Sequence, residues 1–307
     1  MQLRFICAQP AILYYAWQVE VMLNNFQSIG INLNQVDIVC KIDGVVPQEW
    51  VNLANGYPAR FFFYNDTRES THYISSVRPN ILKQHFKQHP YLKDEAILYH
   101  DCDIVFTKPI NWEQFLQDNK WYGSDCRWYI SHDYIISKGE DVLDEMCRIV
   151  GIEKELVKAN ELNSIGAQYL MKGIDEQFWA DVERDCEILF RDITELNAKK
   201  KQENPKYHEL QIWCSDMWSV LWNGWKRGYE SICHEDLQFA WATSPEGDWF
   251  KYNIYHNAGV TSNSDGYFYK SMYINRLPYK DDLEIKPDTA NKHYWNIIKE
   301  TSKKTVL

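Results

Sequence analysis

The sequence predicts an α/β fold: a mostly parallel β-sheet with helices on both faces and an elaborated C-terminal half. Three observations carry this expectation. Short apolar runs alternate with stretches of helical periodicity along the N-terminal part of the chain. Pro47 and Pro79 stand in the first turns of two such stretches, where a missing N–H costs nothing. A further apolar run, residues 96–99, leads directly into His100-Asp101-Cys102-Asp103. Alternation of this kind implies parallel strands joined by crossover helices.

In chain order, residues 3–8 read as a buried strand. Residues 12–26 read as a helix, with Leu13, Trp17 and Val21 on one face and Ile12, Ala16 and Val19 widening it. Strands are expected at 36–42, 60–64 and 96–99, separated by helices at 47–53 and 79–88. Beyond these come a strand at 121–125, a helix at 141–150 and a strand at 165–171 interrupted by Gly166. A long helix is expected at 175–201, with Phe178, Val182, Cys186, Leu189 and Ile193 on one face, and a Trp-rich helix at 210–227. An apolar segment at 237–242, a strand at 252–256 and a polar, Tyr-rich tail close the chain. No repeat, linker or clean boundary interrupts it, so residues 1–307 read as one domain.

Composition narrows the function. The chain has 307 residues, 45% of them hydrophobic, enough for a sizeable core. A net charge of −10 argues against a nucleic-acid partner, which calls for a basic face. Lys199-Lys200-Lys201 reads as a solvated helix end. The N-terminal residues do not form a signal peptide and no apolar run is long enough to span a membrane, so a cytoplasmic setting is expected. The eight cysteines lack metal-site spacing and read as reduced, mostly buried thiols. Trp121-Tyr122 and Trp128-Tyr129 lie in polar contexts; most aromatics belong to the core, but some rings offer flat apolar faces to a sugar or a base.

The chemistry concentrates at residues 97–106, where an apolar strand delivers Asp101 and Asp103, two apart, at its C-terminal end. In open α/β sheets that end is where ligands bind, and a divalent cation is the natural counter-charge for paired carboxylates. A bare Asp-x-Asp arises often by chance, so the pair gains weight from its company. His256 follows a late strand and precedes the Gly259 turn; two carboxylates and an imidazole suit Mn²⁺ or Mg²⁺, although a lone His is more often structural. Gly166-Ala167-Gln168 puts small residues in a strand, as a close ligand or a bulge would require. Glu235-Asp236 precedes another strand, either to orient acceptor hydroxyls or as a capping turn.

Taken in order, Arg78-Pro79, Asp101-Cys102-Asp103, Gly166-Ala167-Gln168, Trp213-Cys214-Ser215-Asp216-Met217, Glu235-Asp236 and His256 resemble the GT-A-fold glycosyltransferases. The pattern is most similar to the branch containing the peptidyl hydroxyproline arabinosyltransferases and peptidyl serine galactosyltransferases. The resemblance implies a Rossmann-like, GT-A-type sheet, with 1–110 as a nucleotide-binding half, 111–260 as a donor-sugar and acceptor half and 261–307 as a tail. It implies that Asp103 and His256 coordinate the metal, with Asp101 ligating it or holding the ribose. Pro10 and Arg78 would lie near the nucleotide, Arg78 against the diphosphate or donor sugar. Gly166, Ala167 and Gln168 would line the donor sugar, Asp216 would lie near the reacting carbon, and Glu235 and Asp236 would face the acceptor.

The expected reaction is therefore metal-dependent transfer of a sugar from a nucleotide diphosphate-sugar, most simply a UDP-sugar, to a hydroxyl of a glycan, protein or small molecule. An inverting enzyme would use Asp236 as base; a retaining one, which the resembled branch favours, would use Asp216 to shield charge at the anomeric carbon. A metal-dependent nucleotidyltransferase is the alternative enzyme, and a non-enzymatic carbohydrate-binding protein the alternative of another class. A phosphatase built on Asp-x-Asp expects the motif on its first strand, which this chain does not provide.

Overall fold

A computed structural model describes residues 1–263 and 266–307. Its strands are β1 (Leu3–Pro10), β2 (Val36–Ile42), β3 (Arg60–Asn65), β4 (Ala96–Tyr99), β5 (Ile104–Phe106), β6 (Trp121–Asp125), β7 (Ile165–Lys172), β8 (Ser231–Cys233), β9 (Phe239–Trp241) and β10 (Ile254–His256). They form a seven-stranded sheet, ordered β3-β2-β1-β4-β7-β6-β8, and a three-stranded sheet, ordered β5-β10-β9. The α/β class is as expected: β1, β2 and β3 pair in parallel, β6 pairs in parallel with β8, and β6 with β7 is antiparallel. Among the described residues no helix is long and apolar enough to cross a membrane. All eight thiols are free, and all but Cys233 are buried.

The chain divides into two compact units. One comprises residues 1–2, 66–97 and 115–234, the other 3–65, 98–114 and 235–307.

In the first unit the long helix Glu176–Glu203 starts where Asp175 caps it, its carboxylate accepting from the Phe178 N–H at 2.8 Å. The predicted apolar face, Phe178, Val182, Cys186, Leu189 and Ile193, is completely buried. The Trp-rich segment packs against it, but its α-helix is shorter than expected, Ser215–Lys226, preceded by one 3₁₀ turn at Ile212–Cys214. Its indoles are mostly core: Trp218, Trp222 and Trp225 are buried, and the Trp218 N–H donates to the Ile130 carbonyl at 2.9 Å. Trp121 and Tyr122 are buried as well, which assigns that pair to the core rather than to a ligand. Two short helices, Arg127–Ile130 and His132–Ile136, escape sequence reading because neither is long enough to show a period.

In the second unit β1, β2 and β3 pair in parallel, and Phe26 of the helix Leu13–Ser28 meets Phe5 of β1 edge-on at 5.7 Å. The expected strands at 237–242 and 252–256 shrink to three residues each, β9 and β10. The tail departs most from expectation. It contains a helix, Ala290–Ser302, whose Tyr294, Trp295 and Ile298 join Trp17, Val21, Tyr255, Phe268 and Tyr273 in one buried cluster. The buried Glu20 carboxylate also ties the tail down, accepting from the Thr305 hydroxyl and the Val306 N–H, each at 2.7 Å.

Trp295→Ala should therefore behave as a core truncation and cost about 3–5 kcal/mol. Urea unfolding followed by circular dichroism measures this, and an unchanged midpoint would show that the tail helix is dispensable to the fold.

Candidate metal centre

The carboxyl ends of the strands gather polar groups. β1 ends at Pro10, β2 at Ile42 and β4 at Tyr99, and the chain leaves β4 through His100-Asp101-Cys102-Asp103 before entering β5. The His100 N–H donates to the Ile6 carbonyl at 3.1 Å, so the exit from β4 is anchored to β1. β10 then runs antiparallel to β5, with His256 opposite Ile104. The Asn257 N–H extends this ladder to the Asp103 carbonyl at 2.9 Å. Successive strand residues face opposite ways, so while Tyr255 enters the aromatic cluster, His256 emerges on the other side beside the acids. Beyond it the chain turns at Gly259, whose φ of +91° favours glycine.

Asp101, Asp103 and His256 thus present ligand atoms within 4.8 Å of one another. His256 Nε2 lies 3.2 Å from Asp103 Oδ1 and 3.4 Å from Asp101 Oδ2. The imidazole is buried between rings: Trp241 stacks on it at 13° and Phe239 tilts against it. Its Nδ1 is buried with no hydrogen-bond partner among the described residues.

Lys270, which sequence reading missed, completes the cluster. Its ammonium donates to Asp103 Oδ2. It comes from the tail, in Tyr267-Phe268-Tyr269-Lys270, a lysine directly after three aromatics; that company is a weak signal for a lysine drawn inward.

Burial opposes the charged forms of His256, Asp103 and Lys270, and their mutual attraction overcomes it. Burial works against a charged His256, yet the Asp103 and Asp101 carboxylates raise it to about 9. Asp103, despite its burial, is held well below the usual carboxylate range by Lys270 and His256. Lys270 rises because Asp103 outweighs its burial. His100 behaves oppositely: burial lowers it to about 4, and its Nδ1–H donates to the Asp101 carbonyl at 2.8 Å. Two hard oxygens and one imidazole nitrogen are a donor set suited to Mn²⁺ or Mg²⁺. A second trio, His132, Asp133 and Glu161, has Asp133 exposed and Glu161 accepting from the Asp133 N–H, an ordinary surface arrangement.

The remaining predicted residues lie elsewhere. Asp236 and Glu235 open a 3₁₀ turn before β9. Asp236 accepts from the Gln114 side chain at 2.8 Å and from the Asn253 side chain at 3.1 Å, while Glu235 is exposed. The other five lie in the first unit. There Arg78 faces Asp216 at 3.6 Å, and the Tyr73 hydroxyl donates to Asp216 Oδ1 at 2.7 Å. Gly166, Ala167 and Gln168 sit where the β6–β7 register shifts, so the bulge reading holds. A Cβ on Gly166 would meet the Cys126 Sγ at 2.9 Å and Cβ at 3.1 Å as well as the flexible end of Met217, so packing favours a glycine there. Ala167 has a φ of +60°, the one left-handed non-glycine among the described residues, and Gln168 is buried with its amide donating to Ser124 Oγ at 2.7 Å.

No protein-family profile and no curated protein matches the sequence. Solved structures do. The galactosyltransferase LgtC, in complex with donor and acceptor sugar analogues, is 11% identical over 98% of this chain and 96% of its own, with a TM-score of 0.45. The bifunctional glycosyltransferase WbbM is 10% identical over 85% of this chain, which spans 46% of the length of WbbM, with a TM-score of 0.46. Mouse xyloside xylosyltransferase 1 is 9% identical over 85% of this chain and all of its own, with a TM-score of 0.43. At such identities the functional argument rests on this chain's own residues.

Removing Asp103 from this cluster leaves the part-buried Lys270 ammonium without its carboxylate and the buried His256 with Asp101 alone, 3.4 Å away. Asp103→Asn should destabilise the metal-free protein by about 3 kcal/mol, and Asp101→Asn by much less, because Asp101 is more exposed. Paired urea titrations compare the two, and equal losses would contradict the charge arrangement described.

Proposed function

We propose that this chain is a metal-dependent glycosyltransferase that moves a sugar from a nucleoside diphosphate-sugar, first of all a UDP-sugar, to a hydroxyl of a glycan, protein or small molecule. The observation that carries this reading is the meeting of Asp101, Asp103 and His256 beyond the carboxyl end of β4, where open α/β sheets bind nucleotides. Mn²⁺ or Mg²⁺ would be held by these three residues and, when bound, supplies Lewis-acid neutralisation of the diphosphate leaving group.

The chain's own residues do the rest. Trp241 and Phe239 fix the plane of the His256 ring, so that Nε2 stays aimed at the acids. Lys270 compensates Asp103, and with a metal bound there its ammonium would be released to pair with a diphosphate oxygen. Pro10, the last residue of β1, is proposed to lie beside the nucleotide. Both Asp236 carboxylate oxygens already accept from amides, Oδ2 from Gln114 and Oδ1 from Asn253, so neither is left uncommitted for an acceptor hydroxyl. That supports retention, in which the leaving phosphate accepts the acceptor's proton. Glu235 is proposed to face the acceptor. The roles of Arg78 toward the diphosphate, of Asp216 near the reacting carbon, and of Gly166, Ala167 and Gln168 along the donor sugar rest on the sequence resemblance.

UDP with Mn²⁺ should raise the melting temperature, by an amount equivalent to about 2.7 kcal/mol at a hundredfold excess over Kd, and UDP alone should do much less. Asp103→Ala should abolish the metal-dependent increment, and His256→Ala should weaken it roughly 10–100-fold. No shift with either metal would refute the donor site. A panel of nucleotide-sugars then separates the enzymes: release of a nucleoside diphosphate indicates sugar transfer, and release of a sugar 1-phosphate indicates transfer of the nucleotidyl group.

The stereochemistry has its own test. With the donor so identified, proton NMR of the product should show the anomeric configuration kept and Asp236→Asn still active. An inverted product, with a loss on the order of 10²–10⁴-fold in Asp236→Asn, would instead make Asp236 the base.

A further inference from the structure

The chain has thirteen tryptophans, and Trp128 and Trp213 alone are strongly exposed, at 66% and 58%. Both lie in the first unit and both touch one ring. Tyr129 meets Trp128 at 4.5 Å between centroids and lies nearly parallel to Trp213, at 6.2 Å and 18°. An indole left in water forfeits the gain of burial, so two gathered on one spot call for a reason.

Their support is rigid. Tyr129 is buried, its hydroxyl against Cys126 Sγ at 2.9 Å. The Trp213 carbonyl accepts from the Tyr73 hydroxyl at 2.6 Å. The two stretches of chain are tied together where the Gln211 N–H donates to the Tyr134 hydroxyl at 3.1 Å and the Trp218 N–H to the Ile130 carbonyl. A ligand stacking on these indoles would therefore immobilise little that is not already fixed.

The charges beside the rings select the ligand. Arg127, next to Trp128, is clamped by Asp125, which accepts from its Nε at 2.9 Å and from its Nη2 at 2.5 Å. That cation is already neutralised, so it offers a planar edge of donors without net charge for a phosphate. Flat apolar faces bordered by neutralised donors and acceptors match a pyranose, whose C–H face is apolar and whose rim carries hydroxyls. A nucleotide would need uncompensated positive charge, and a protein partner a wider apolar patch.

We propose that Trp128 and Trp213 form a stacking surface for a neutral oligosaccharide. The proposal rests on the sugar-transfer reading only in taking that oligosaccharide for the acceptor; the binding itself needs neither metal nor donor.

Tryptophan fluorescence and calorimetry with cellohexaose, maltohexaose, chitohexaose and laminarihexaose test it on the full chain, in parallel with the UDP–Mn²⁺ melting shift. At least one of the four should bind the wild type. Trp128→Ala and Trp213→Ala should each lose roughly tenfold in affinity, about 1.4 kcal/mol, Trp213→Phe should lose less, and all three should keep the wild-type melting temperature and UDP–Mn²⁺ response. The proposal is overturned if none of the four binds at about 10 mM, a concentration that reveals even millimolar affinity, or if the double alanine variant binds as the wild type does. It is equally overturned if metal-free UDP displaces the sugar, which would make the rings a nucleobase platform, or if sedimentation shows a dimer that the double variant dissolves, which would give the surface to a second copy. Oligosaccharide binding lost in the variants, with no UDP–Mn²⁺ shift in any form, would keep this surface and remove the transferase reading.

Discussion

The short antiparallel ladder between Ile104–Phe106 and Ile254–His256 is the constraint on which the candidate centre depends. Two strands of three residues do not hold each other in water. This pair is held because Tyr255 and Val105 enter an aromatic cluster built largely from the tail, and because the Tyr255 hydroxyl is fixed by Asn257 and Asn291. The register that results sets His256 against Asp103. The position of a chemical group is thus dictated by hydrophobic packing on the opposite side of its strand. The tail contributes again through Lys270, so the segment that looks most like a solvated extension supplies both the support and one charge of the site.

Electrostatically the cluster is expensive to build and self-compensating. Each charge loses hydration, and each regains it from a neighbour of opposite sign. A purely structural role could be filled at least as well by apolar side chains of similar volume. What distinguishes this arrangement is the combination of two acids on one short loop, an imidazole whose second nitrogen has no partner among the described residues, and stacking that restrains the ring.

Much of the fold was legible because long elements carry their own periodicity. The buried face of Glu176–Glu203 follows from 3.6-residue spacing alone, and the first strands follow from short, mostly apolar runs. The helix Ala290–Ser302 was not legible: its sequence mixes Tyr294, Trp295 and Ile298 with lysines and asparagines, and its apolar side acquires meaning only from Trp17 and Phe268, far away in the chain. The same boundary divides the site. Asp101 and Asp103 announce themselves as a pair at a strand end, and His256 is marked by its strand and glycine turn. Lys270 and Trp241 act through tertiary contact and leave almost no local trace. At Gly166 the sequence left a close ligand and a bulge open; the register shift shows the bulge, and the packing of Cys126 and Met217 around it leaves no local trace in the sequence.

Neither compact unit is a continuous stretch of chain, since the one that holds the acids is assembled from residues 3–65, 98–114 and 235–307. During synthesis its first segment emerges long before its last. Trp17 and Val21, the underside of the helix Leu13–Ser28, must wait for Phe268, Tyr294 and Trp295 before they are covered. Closure over so much intervening chain is a slow, high-contact-order event, and the waiting surface is apolar. For that interval the nascent chain carries an uncovered apolar face, and its solubility during production depends on the arrival of residues 268–298.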